Sequence, residues 1–78
     1  MKKKVLINSV EKIQDFVNIT NEADCDIDLI CGSRTYLDAK SLLGILSCNY
    51  QEPLSIDIHA DEDESQELLA SLDRFVVA

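Results

Sequence analysis

Two periodicities alternate along this chain. Lys3–Ile7 is a short run rich in β-branched side chains and predicts a strand. Asn8 or Ser9 then offers a helix N-cap. Val10, Ile13, Phe16, Val17 and Thr20 follow at helical spacing, with Glu11, Lys12, Asp15 and Asn18 on the other side. That spacing predicts an amphipathic helix ending near Asn21. Period two returns at Cys25–Cys31, with Cys25, Ile27, Leu29 and Cys31 facing inward and Asp26 and Asp28 outward. Gly32-Ser33 reads as a two-residue hairpin turn and Arg34–Leu37 as the returning strand. Asp38 through Ser41 reads as a capping region before a short helix over Leu42–Cys48. Asn49–Pro53 reads as a turn, because Pro53 cannot continue a helix. Leu54–His59 alternates again, with Leu54, Ile56 and Ile58 inward and Ser55, Asp57 and His59 outward. A last helix is expected from about Asp61, with Glu64 at capping-box spacing and Glu62–Glu64 suiting the positive end of the helix dipole. Leu68, Leu69, Leu72, Phe75 and Val76 supply its apolar stripe.

The predicted order is β-α-β-β-α-β-α. Each strand buries one face, so helices must cover one side of a four-stranded antiparallel sheet. The expectation is an α+β fold, an open-faced β-sandwich, as one domain over residues 1–78. Order alone also admits other two-layer folds, ferredoxin-like ones among them.

Composition narrows the function. Hydrophobic residues make up 46% and charged residues 28%, ordinary for a soluble globular domain. The apolar runs at Leu42–Leu46 and Phe75–Ala78 are far below the ~18 residues of a membrane span. Met1-Lys2-Lys3-Lys4 starts like a leader, but Val5-Leu6-Ile7 is too short for an h-region and meets Asn8-Ser9 at once. A cytoplasmic location with no membrane role is expected. The net charge of −8 disfavours nucleic acid, whose phosphates need clustered Lys and Arg. Lys2–Lys4 reads as a solvated strand start. The three cysteines lack metal-ligand spacing. Cys25 and Cys31 share the inward parity and read as core side chains. They cannot bridge each other along a straight strand, where six residues span roughly 20 Å. Cys48 is read as a surface thiol at a helix end or a redox-active one. No cofactor or metal site is indicated.

Asp38-Ala39-Lys40-Ser41-Leu42-Leu43-Gly44-Ile45-Leu46-Ser47 resembles the regulatory-serine segment of HPr, the small phosphocarrier of the bacterial sugar phosphotransferase system. Asp26-Ile27-Asp28-Leu29 is similar to that family's second strand. The alternation through Leu54–Ile58 and the acidic start of the last helix also fit, so the resemblance covers residues 24–78. It implies the HPr-like open-faced fold. HPr also carries its phosphoryl group on a histidine, in a run resembling Gly-Ile/Leu-His-Ala-Arg-Pro just after the first strand. Here Val5–Val17 contains no His, Arg or Pro. An N-phosphohistidine needs a neutral imidazole nitrogen as nucleophile and donors for the arriving phosphate. The resemblance therefore implies the fold of a phosphocarrier without that chemistry, and a non-enzyme.

His59 is the sole histidine, on the polar face beside Asp57 and before Asp61, where local negative charge repels phosphate. Ser41 matches the serine that a dedicated ATP-dependent kinase phosphorylates in part of the family, whose product binds the transcriptional regulator catabolite control protein A. A phosphate at a helix N-terminus meets free N–H groups, and Lys40 stands beside it. The plainer reading is a hydroxyl that only caps the helix. Leu42, Leu43, Ile45 and Leu46 cannot all enter so small a core, so part of them is expected to form a partner-binding patch. The expected partner is a protein: a phosphotransferase-system component, HPr kinase, a transcriptional regulator, or a second copy in a homodimer. The expectation is thus a regulatory or protein-binding module. Its alternatives are a carrier with a displaced acceptor at His59, and a structural or self-associating domain.

Overall fold

A computed structural model describes residues 1–32 and 35–77. The order is β1 (Lys2–Val5), α1 (Val10–Glu22), β2 (Ile27–Cys31), β3 (Thr35–Asp38), α2 (Leu42–Leu46), β4 (Leu54–Ile58), α3 (Gln66–Leu72), a 3-10 turn (Asp73–Phe75) and β5 (Val76–Val77). The strands form one antiparallel sheet in the order β3-β2-β4-β1-β5. The sheet has five strands, not the four expected. The 3-10 turn ends the last helix, and Val76 turns extended at φ −70° and ψ 133°. Leu6 N–H already donates to Phe75 O at 2.8 Å, which sets the two-residue β5 against β1.

Side-chain alternation divides the sheet. Ile27, Leu29, Leu54, Ile56 and Ile58 are buried and meet Ile13 and Phe16 of α1, Ile45 of α2, and Leu68 and Leu72 of α3. Phe16 and Phe75 pack edge to face with ring centroids 6.0 Å apart. Arg74 lies over the Phe75 ring and reaches Asp15 of α1 at 3.6 Å. The opposite face carries the polar positions. Asp38, Asp28, Asp57 and Lys2 lie in register across four adjacent strands.

The helices follow their sequence signals with local exceptions. Ser9 caps α1, its Oγ accepting from Lys12 N–H at 3.2 Å, and the neighbouring Asn8 accepts from the Lys12 ammonium. Val10, expected on the apolar face, is exposed. Regular α3 starts at Gln66 instead of near Asp61. Asp61 does act as a cap, accepting from Glu64 N–H at 2.8 Å, and its carbonyl accepts from Ser65 Oγ at 2.6 Å, so a bonded turn precedes the regular helix. The Arg34 strand start and half of the Gly32-Ser33 hairpin turn fall outside the described residues. Gly32 sits at φ +72°, a left-handed conformation that suits glycine.

The cysteine reading needs correction. Cys48 is no surface thiol: it is 6% exposed and paired with Cys31 as a disulfide, their Cα atoms 5.7 Å apart. Cys31 stands on the inward parity, at the end of β2, where the end of α2 comes down on it. Cys25 is a free, half-buried thiol packed against the core, ahead of the first residue of β2.

Candidate functional site

The turn between β3 and α2 is held from three sides. Ala39 is buried, and its N–H extends the sheet by donating to Ile27 O at 2.9 Å. The Asp38 carboxylate accepts from Lys40 N–H at 2.9 Å, and Asp38 O accepts from Ser41 N–H at 3.0 Å. The last turns of α1 supply the third side. Thr20 Oγ1 lies 3.0 Å from Ala39 O and 3.1 Å from Val17 O, sharing its one proton between them. Asn21 Nδ2 donates to Lys40 O at 3.2 Å, and Lys40 Nζ donates back to Ala23 O at 3.1 Å.

Ser41 stands at the end of this turn in an extended conformation and caps α2. Its Oγ accepts from Gly44 N–H at 3.2 Å. A Cβ at Gly44 would sit 3.3 Å from that oxygen, so the glycine leaves the hydroxyl its room. Lys40 is the cation beside Ser41 in sequence, and its ammonium is already engaged by the end of α1. The aliphatic residues of α2 divide sharply. Ile45 is 0% exposed and belongs to the core, so it is not part of a docking surface. Leu42 is partly buried against the core. Leu43 is 81% and Leu46 39% exposed. A helix has one buried stripe, and α2 spends that stripe on Ile45.

His59 lies on the far side of the sheet. Its Nε2 is 2.8 Å from Asp28 Oδ2 and 4.0 Å from Asp57 Oδ2. The hydrogen bond to Asp28 raises its pKa above the ordinary 6.5 and outweighs the opposing cost of desolvation, with the charges of Asp28, Asp57 and Asp26 adding to the rise. A protonated imidazole has no lone pair to attack phosphorus. The connection from β1 to α1 is only Leu6–Ser9, and its polar side chains are Asn8 and Ser9, both used at the helix start. Among the described residues no cluster of three or more His, Cys, Asp or Glu is placed to hold a metal, and no helix is long and apolar enough to cross a membrane.

Lys40, Ser41 and the α2 residues are contiguous in the sequence and adjoin in the structure, with Ile45 turned into the core. The sequence missed Thr20, Asn21 and Ala23, which brace the turn from α1, because contacts between segments twenty residues apart leave no local signal.

A crystal structure of HPr-C-His from Thermoanaerobacter tengcongensis superposes with a TM-score of 0.73 at 16% identity, covering 95% of this chain and 88% of that one, which shows a shared fold. No curated protein matches the sequence. The family model for the PTS HPr component phosphorylation site matches residues 11–78, beginning just past the Ser9 cap. With that match over most of its length, the chain belongs to the HPr family of the phosphotransferase system.

Proposed function

We propose that this HPr-family chain is a regulatory, protein-binding module that works through α2 and not through an N-phosphohistidine. The observation that carries the reading is the pair of exposed leucines, Leu43 and Leu46, on a helix capped by Ser41 and braced by α1. Exposed aliphatic side chains on a short, well-anchored helix favour a protein partner. Lys40, Leu42, Leu43 and Leu46 form the surface, with Ser41 at its edge as the phosphorylation candidate. Its partner is a phosphotransferase-system component, an HPr kinase or a transcriptional regulator, and its place is the cytoplasm. Phosphate on Ser41 would add a double negative charge where Gly44 N–H and the helix dipole meet it. The acceptor alternative draws on His59 being the one histidine, but the Asp28 and Asp57 carboxylates beside its ring engage Nε2 and repel an incoming phosphate.

Intact-mass measurement after two treatments separates the readings. HPr kinase with ATP should add one phosphate, lost in Ser41→Ala; enzyme I with phosphoenolpyruvate should add none. A phosphoenolpyruvate-dependent phosphate lost in His59→Ala would establish the carrier reading instead. If neither treatment adds mass, the domain works without modification. A concentration-dependent mass in solution would then favour self-association.

A further inference from the structure

The two paired cysteines bracket the whole proposed docking segment. Cys31 ends β2 and Cys48 follows α2, so the chain between them holds β3, the Asp38–Lys40 turn, Ser41 and α2. The Cα separation of 5.7 Å lies within the range that a disulfide spans. The site also accommodates the reduced state: as a thiol, Cys48 donates to Gly44 O, 3.6 Å away in the preceding helical turn. Both oxidation states therefore leave this buried group satisfied. Access is asymmetric. Cys48 is closed off, whereas Cys31 lines a cleft of about 380 Å³ with Gly32, Asn49, Glu52, Pro53 and Ser55. That volume admits a small molecule.

The geometry points to Cys31 and Cys48 as a reversible thiol–disulfide modification site, with a low-molecular-weight disulfide as the oxidant and α2 as the element it fastens. The Cys31 thiolate attacks one sulfur of the incoming disulfide in the cleft. A protein–small-molecule mixed disulfide forms, and the first small thiolate leaves. The Cys48 thiol loses its proton and attacks the Cys31 sulfur, expelling the second small thiolate. The protein gives up two protons and two electrons, and one disulfide becomes two thiols. A small thiol in excess runs the steps backward. In a reducing compartment such pairs are transient and responsive, not permanent staples.

Closure ties the C-terminal end of α2 to the sheet, so its local opening is suppressed. This coupling concerns α2 itself and stands whether or not Ser41 is phosphorylated or the leucines bind a partner.

Bis(2-hydroxyethyl) disulfide, an uncharged probe unaffected by Glu52, tests both parts. The protein carries Cys25→Ser, which removes the third thiol. The expected product has lost the mass of two hydrogens, yields a peptide joining Cys31 to Cys48, and returns to the dithiol with dithiothreitol. Amide exchange over Ile45–Cys48 should slow roughly tenfold on oxidation, and more than in α1. A further Cys31→Ser substitution should abolish closure. A persistent mixed disulfide on Cys31, or cross-linking between two copies, would overturn the assignment. Closure with unchanged exchange in α2 would overturn the coupling.

Discussion

Thr20 is a buried hydroxyl in the apolar face of α1, and its position explains its chemistry. It donates to Ala39 O across the gap to the β3–α2 turn, with Val17 O of its own helix as the second acceptor within reach. Thr20→Val keeps the shape and β-branching and deletes only the bond. The expected loss is about 1–2 kcal/mol, read as a lower urea midpoint with an unchanged slope. The sequence assigned Thr20 to the buried face but gave no partner, because a hydroxyl at apolar spacing reads as a small core side chain. His59 has a different signature. Its raised folded-state pKa means that its contribution to stability is full below 6.5, its unfolded value, and is lost as pH rises through the folded value. His59→Gln should thus lower the melting temperature relative to the parent at about pH 5.5 and much less at about pH 8.5. A deficit equal at both values would mean that Asp28 needs only a neutral donor.

At the level of elements, α2 separates core from surface within five residues. Ile45→Ala should cost about 2–5 kcal/mol, since its methyl groups leave a cavity under the helix. Leu43→Ser should move stability by no more than about 0.5 kcal/mol while weakening any partner held by this face. Chemical denaturation of both variants, beside a pull-down, distinguishes the two roles. Period two located β2 and β4 and period 3.6 located α1, because burial on one face leaves that trace in the sequence, while a β-branched run marked β1 and capping residues marked α2. Three features left none. β5 is two residues long, and its pairing depends on the 3-10 turn that aims it. The start of α3 follows a turn closed by bonds from Glu64 and Ser65 to Asp61, which helical spacing does not mark. The Cys31–Cys48 pair depends on two element ends meeting in space, and seventeen positions of separation carry no geometric code. Parity had placed Cys31 facing inward; what it met there was not legible.

For the whole molecule, charge and topology dominate. The net charge is −8, and Asp38, Asp28 and Asp57 stand side by side on the open face with Lys2 at the end of the row. Like charges opposite one another destabilise a sheet. Raising ionic strength from about 0.01 to about 0.15 M shortens the screening length from roughly 30 to roughly 8 Å. Sodium chloride over that range should therefore raise the urea midpoint, and a fall would show that attractive pairs such as Arg74–Asp15 outweigh the repulsion. The strand order has another outcome, in time instead of energy. β1 is made first, yet both of its neighbours, β4 and β5, come from the last third of the chain. On a ribosome, β1 waits unpaired until β4 has emerged. The β2–β3 hairpin and α1 can form early, but the sheet closes around β1 only once β4, made after all of them, is available.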